Sequence, residues 1–366
     1  MNSTIVPNLM KPFTLGDLAL RNRVVMAPMT RARAGNERLA NAKMAEYYGQ
    51  RASAGLIITE GTHISEDGIG WVNTPGIWSK EQTESWKPIV ESVHQAGGHI
   101  FLQLWHCGRA SHSTFHGGRP SFSPSAIAIN ELYIHTPNGK LKHEIPQAMT
   151  KEEIAKTVED FIHAAKNARE AGFDGVEIHA ANGYLLDTFL QSKTNQRIDE
   201  FGGSEENRFR FVRLVVEGVL EVFASNRVGL KIAPNTNYND MGSADYRETF
   251  TYVARELDHY KLGYLQVVDG VTFGAHNLGT PMVLNEFREV FHGSLMGNCG
   301  YTKEAAELAI RDNRADLISF GRPFISNPDL VERFEQNWPL NDGASPKLWY
   351  SFDTIGYTDF PTFAES

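Results

Sequence analysis

The 366-residue sequence predicts an α/β fold in which eight parallel strands close into a (β/α)8 barrel, the TIM-barrel architecture. Three observations carry that prediction. A unit recurs along the chain: an amphipathic stretch with helical spacing, a Gly-containing turn, then four to six mostly apolar residues that end in polar residues or Gly. Short apolar strands that alternate with helices imply a parallel sheet. The apolar runs number eight, which argues for a closed barrel over an open sheet.

The elements follow in order. In residues 9–20, Phe13-Thr14-Leu15 and Leu18-Ala19-Leu20 flank Gly16-Asp17, a hairpin pattern suited to plugging the N-terminal end of the barrel. The eight strands are read within Val24–Ala27, Ala54–Gly61, Gly97–Leu104, Ala171–His179, Gly229–Ala233, Leu262–Val268, Ser294–Gly297 and Ala315–Gly321. Ser79-Lys80-Glu81-Gln82 and Thr150-Lys151-Glu152-Glu153 fit the capping box that opens a helix. Asn327-Pro328 reads as a cap residue with Pro at the first helical position. After Thr150, the residues Ile154, Val158, Phe161, Ile162 and Ala165 fall on one helical face, and Gly172 stops the run. From about 105 to 149 no helical unit is found, and Pro137-Asn138-Gly139 lies between strand-like runs, so this insertion after the third strand is read as a hairpin-bearing lid. No linker marks a second domain, and residues 1–366 are read as one.

Composition limits the function. The net charge is −9 with no basic block, so neither nucleic acid nor an anionic membrane is an expected partner. No apolar run approaches the roughly 18 residues of a membrane span, and Met1–Met10 has no signal-like pattern. Two cysteines, Cys107 and Cys299, suit a reducing compartment, and a cytoplasmic location is expected.

In a parallel barrel the residues just after each strand share one face, where active sites lie. Here they include Pro28-Met29-Thr30, Glu60-Gly61, Gln103-Leu104-Trp105-His106, the segment His179–Tyr184, Lys231, Asp269, Gly297-Asn298 and Gly321-Arg322. The set is polar and cationic with few carboxylates, so no metal with oxygen ligands is expected. Gly297-Asn298-Cys299-Gly300 and Gly321-Arg322 follow the seventh and eighth strands, where barrels often hold a phosphate; the same glycines also suit plain tight turns. His179-x-x-Asn182-x-Tyr184 combines two donors able to polarise one oxygen with a phenol able to act as an acid, although such a triplet is by itself more often structural.

Taken together these motifs resemble the old yellow enzyme family of flavin-dependent ene-reductases, over nearly the whole chain. The segments that carry the likeness are Leu20–Thr30, Leu56–Gly61, Gln103–Arg109, Gly175–Leu186, Phe189-Leu190-Gln191, Asn195-Gln196-Arg197, Gly321–Leu330 and Gly356–Pro361. The resemblance implies non-covalent FMN, reduced by NADPH or NADH and reoxidised by an activated alkene such as an enone, enal, nitroalkene or maleimide. It implies that Ala27, Pro28, Met29 and Thr30 lie against the flavin, with Thr30 tuning its potential. Gln103 and the Gly61 backbone would meet the pyrimidine side, and Gly297, Asn298, Cys299, Gly321 and Arg322 the phosphate. His179 and Asn182 would bind the substrate oxygen, Tyr184 would protonate the α-carbon, and Trp71, Trp105 and Tyr350 would wall the substrate pocket. One departure stands out: Lys231 occupies the place where the family usually has Arg beside the flavin, and an ammonium still offers charge compensation there.

Other readings of the same residues compete with this one. The same reduced flavin would serve a nitrate ester, nitroaromatic or quinone reductase. His106, His112, His116 and His179 raise a barrel metallohydrolase, against which no strand-end Asp/Glu set is found. Asp17, Glu177 and Asp187 are read as structural, and a monomer or a homodimer fits equally.

Overall fold

The chain is described by a computed structural model covering residues 7–130, 132–272 and 274–365. Its centre is a ring of eight strands: β1 (Val24–Met26), β2 (Leu56–Ile58), β3 (Ile100–Trp105), β4 (Gly175–Ala180), β5 (Val228–Ile232), β6 (Tyr264–Val268), β7 (Leu295–Asn298) and β8 (Leu317–Phe320). Every neighbouring pair is parallel; β8 pairs with β1, and β3 with β4, so no edge remains. All eight strands stand where the apolar runs place them, because runs buried on both faces need hydrogen-bonded neighbours on both sides.

Helices sheathe the ring. Lys80–Gln95 and Lys151–Glu170 begin with the expected capping boxes, in which Ser79 and Thr150 exchange hydrogen bonds with Gln82 and Glu153. Ile154, Phe161, Ile162 and Ala165 are buried, Val158 is half-buried, and Gly172 ends the run at φ +94°, a conformation that costs Gly little. The Asn327-Pro328 reading is corrected: the helix begins at Leu330 with Asp329 as its cap residue, and Asn327 closes the short helix Arg322–Ser326. The Asn327 side chain bonds back to the Pro323 carbonyl and accepts from the Asn341 amide, so it ties loops together instead of opening a helix.

The N-terminal hairpin pairs Phe13–Leu15 with Leu18–Leu20 around Gly16 at φ +60°. Leu15, Leu18 and Leu20 pack against Val25, Leu56, Phe101, Tyr264 and Met296 from the barrel interior, which closes that end as the pattern predicts. Gly175 and Gly229 are needed in this layer, since a Cβ there would overlap the rings of Phe101 and Tyr264. The insertion after β3 is stitched by Phe122–Ser123 against Gln147–Ala148 and carries the hairpin Tyr133–Thr136/Gly139–Lys142, whose turn is Pro137-Asn138. His135 of that hairpin reaches the Trp71 ring, 6.4 Å between centroids, and so hangs the lid over the C-terminal mouth.

Candidate active site

A cavity of about 510 Å³ opens at the C-terminal strand ends, within the size range of small-molecule sites. Ala27, Pro28, Met29 and Thr30 line it after β1, Asn182 and Tyr184 after β4, and Lys231 at the end of β5. Asn298 at the end of β7, Cys299 just after it, and Gly321 and Arg322 after β8 complete the ring, with Trp71 and Tyr350 also on the wall. No Asp or Glu is among the described residues that line it, so its two cations face the space without a carboxylate there.

The turn after β4 is held from inside. Asn182 and Gly183 both take positive φ, +60° and +72°, which lets the chain reverse at once and brings Tyr184 back beside His179, 5.0 Å between ring centroids. The buried Asp187 carboxylate accepts from the Gly183 amide at 2.8 Å and from Gln191 Nε2 at 2.9 Å. Gln191 Oε1 in turn accepts from the Gly242 amide at 3.0 Å, linking the turn to the loop after β5. Burial pushes the Asp187 carboxyl up to about 7. Burial, reinforced by the Lys231 ammonium, holds His179 well below the usual histidine range, so its imidazole is neutral near pH 7. Burial also raises the Tyr184 phenol, which keeps its proton.

Buried arginines and a carboxylate position the other walls. Glu60 Oε2 accepts from the Arg31 and Ala32 amides at 3.1 and 3.2 Å, which anchors the segment just after Thr30. Arg31 donates to the carbonyls of Trp349 and Gly356, and Arg33 to those of Trp349 and Leu348, so the C-terminal segment is clamped with Tyr350 at the mouth. Tyr350 meets Trp71 at 5.0 Å, and Arg38 fixes Trp71 through its carbonyl. Arg322 is exposed at the rim with its guanidinium 4.6 Å above the Trp349 ring.

The loop after β7 is shaped by Asp269, which accepts from the Asn298 amide at 3.1 Å and from the Tyr301 hydroxyl at 2.7 Å. Burial raises this carboxyl to about 6. Cys299 and Gly300 both have positive φ, +85° and +78°. A Cβ on Gly270 would overlap the Cys299 carbonyl, so the loop packs closely against the neighbouring turn.

Five of the residues singled out in the sequence stand behind the lining. Gln103 is buried with its amide on Glu177, and His179, 6 % exposed, packs below Tyr184. Trp105 is 1 % exposed, stacked on His63 at 4.7 Å and edge-on to Tyr184 at 5.0 Å; it backs the wall instead of forming it. Its indole fills the place where a Gly61 side chain would stand, which leaves Gly61 only its backbone. Gly297 sits under the Tyr301 hydroxyl. Sequence reasoning missed Thr236, Tyr238 and Trp349 on the wall. Tyr238 follows β5 and was reachable by the strand-end rule read five residues further; Trp349 follows no strand and has no such signal.

The histidines weighed as a metal set do not converge: His106 Nδ1 accepts from the Gly108 amide, and His116 Nε2 is engaged by Ser111 Oγ. Among the described residues no group of three or more His, Cys, Asp or Glu is able to hold a metal ion. No helix of the described residues is long and apolar enough to cross a membrane.

Residues 8–341 match the model of the NADH:flavin oxidoreductase / NADH oxidase family. The chain is 40 % identical over 364 residues to putative 12-oxophytodienoate reductase 11 of Oryza sativa subsp. japonica, covering 96 % of this chain and 97 % of that protein. It superposes on the old yellow enzyme homologue from Zymomonas mobilis with a TM-score of 0.93 at 42 % identity, over 97 % of this chain and 99 % of that one. Morphinone reductase in complex with tetrahydroNAD gives 0.91 at 41 % identity, over 98 % of each chain. The residues present fit FMN: Arg322 and the loops after β7 and β8 stand together on the cavity wall for its phosphate, Lys231 lines the same cavity as a cation for its ring, and no carboxylate is among the described residues that line it. On these grounds the chain belongs to the NADH:flavin oxidoreductase / NADH oxidase family, as an old yellow enzyme homologue, and is an FMN-dependent ene-reductase that draws its electrons from NAD(P)H.

Proposed function

We propose that FMN is held between the segment Ala27–Thr30 and the loops after β7 and β8, and that the substrate is a small alkene conjugated to a carbonyl or nitro group. Thr30, Lys231, Gln103 and the Gly61 backbone would meet the flavin ring, while Gly297, Asn298, Cys299, Gly321 and Arg322 would meet its phosphate. Held there, FMN would supply the hydride chemistry, taking electrons from NADPH or NADH and delivering them to the β-carbon of the alkene.

The chain's own residues supply the rest. A neutral His179 and the Asn182 amide both donate to the substrate oxygen, which draws electron density from the conjugated double bond. Tyr184, protonated at neutral pH, gives its proton to the α-carbon and is then reprotonated from solvent. Lys231 opposes the negative charge that gathers on the reduced ring, as a point charge without the fork of an Arg. Trp71 and Tyr350 narrow the mouth to flat substrates. Every residue named comes from one chain, so a monomer and a homodimer would hold the same site, and the two cysteines, neither of them in a disulfide, suit the cytoplasm.

The observation that carries this reading is the left-handed turn at Asn182-Gly183, which returns Tyr184 to His179 on a wall free of carboxylates. The test is an absorbance spectrum of the purified protein, followed by anaerobic NADPH and then 2-cyclohexenone. Flavin bands that bleach with NADPH and return with the enone are expected. Bands that bleach and stay bleached would refute the alkene assignment, and a protein that refuses added FMN would refute the cofactor placement.

A further inference from the structure

Below the cavity floor the barrel interior holds a carboxylate that none of these roles uses. Glu177 stands on β4 two residues before His179 and is 0 % exposed. Its Oε1 accepts from Gln103 Nε2 of β3 at 2.8 Å, and its Oε2 accepts from Gln266 Nε2 of β6 at 3.0 Å. The Lys231 ammonium of β5 and the Tyr264 hydroxyl of β6 lie close enough to act on it electrostatically. Four consecutive strands thus converge on one buried carboxylate.

Two consequences follow from this geometry. Once ionised, Glu177 accepts and does not donate, so the Gln103 amide then has one allowed orientation: its NH₂ to Glu177 and its carbonyl oxygen turned away. The reverse orientation would set oxygen against oxygen in a dry interior. Lys231, level with His179 in the strand register, is acted on by the Glu177 charge and is also one of the residues that line the cavity. Removing either of two buried opposite charges that act on each other leaves the other less well compensated.

We propose that Glu177 is a positioning residue for the flavin site: it locks the Gln103 amide with its carbonyl oxygen presented as an acceptor, and it sets the net charge that Lys231 presents to the cofactor. This rests on the placement of FMN against Gln103 and Lys231 given above. Glu177 itself does not touch the reacting atoms.

The test compares wild type with Glu177→Gln, which keeps the shape, removes the charge and frees the Gln103 amide to turn. Both are purified as FMN-loaded holoenzymes and studied at pH 8.5, above the value of about 7 to which burial raises the Glu177 carboxyl. Equilibration with a reference dye reads the reduction constant of the bound flavin, and release on dilution reads the FMN dissociation constant. The expected result is a shift of the reduction constant toward reduced flavin by about tenfold, equivalent to about 30 mV for a two-electron couple. The dissociation constant is expected to rise about tenfold as well. Glu177→Asp, which keeps the charge but withdraws it from Gln103, should weaken FMN binding and leave the reduction constant near wild type, and it serves alone if the Gln variant does not fold. Wild type that holds FMN while Glu177→Gln, or Glu177→Asp in its stead, leaves both constants within twofold refutes this inference alone, even if the melting temperature falls. Wild type that takes up no FMN refutes the cofactor placement and this inference with it.

Discussion

Asp187→Asn offers a test of how the Asn182–Tyr184 turn is held. The carboxylate accepts from the Gly183 amide and from Gln191 Nε2. An Asn keeps the first bond through its oxygen but points its NH₂ at the Gln191 NH₂. Gln191 is not free to flip, because its oxygen accepts from the Gly242 amide. One buried donor therefore loses its acceptor, a cost of about 1–3 kcal/mol at any pH. Against this stands the burial of the carboxyl, which sits at about 7 in the fold against 3.8 in the unfolded chain. A raised carboxyl stabilises the fold most below its unfolded value, and that contribution is lost as pH rises toward its folded value, a total of about 4 kcal/mol. Asn has no such dependence. The variant should thus melt below wild type at pH 4, and the gap should shrink by pH 8 until it closes or reverses. With an unfolding entropy of about 0.8 kcal/mol/K for a chain of this length, the change in the gap is about 5 °C. Thermal melts of both FMN-loaded proteins across this range read it directly, and all other titrating groups cancel in the difference. A gap that stays constant from pH 4 to pH 8 would show that Asp187 is not held uncharged by its surroundings, and the account of the turn would fall.

Other substitutions probe the remaining parts of the site. Tyr184→Phe should slow reoxidation by 2-cyclohexenone on the order of 10²-fold while leaving reduction by NADPH intact, and equal turnover would exclude the phenol as the acid. Lys231→Met removes a positive charge beside the reduced ring and should lower the flavin midpoint potential on the order of 50 mV; an unchanged potential would remove Lys231 from the site. Gly270→Ala must displace the Cys299 carbonyl, so FMN affinity should fall at least tenfold with the far-ultraviolet circular dichroism of the barrel retained. Arg31→Ala releases the carbonyls of Trp349 and Gly356, and the Tyr350 segment should become more open to protease while the barrel resists; uniform resistance would show that the clamp is not what holds it.

The strands, the plugging hairpin, the capping boxes at Ser79 and Thr150 and the lid insertion were legible because each depends on residues within a few positions of one another: apolar spacing, Gly at a positive φ, a cap three residues from its partner. The grouping of His179, Asn182 and Tyr184 was legible for the same reason, since one tight turn carries all three. The Asn327-Pro328 signal failed because residues far along the chain decide it: Asn327 is engaged by Asn341, which no local pattern shows. Tertiary structure alone decided that Trp105 stands behind the wall, over Gly61 and against His63, and that Trp349 and Tyr350 return to the mouth under the grip of Arg31 and Arg33. It likewise decided that Glu177 sits beneath Gln103, Gln266 and Lys231. Closing a ring of eight strands brings inward side chains of successive strands together across gaps of tens of residues. Strand periodicity states which way a residue faces but not which partners it will meet.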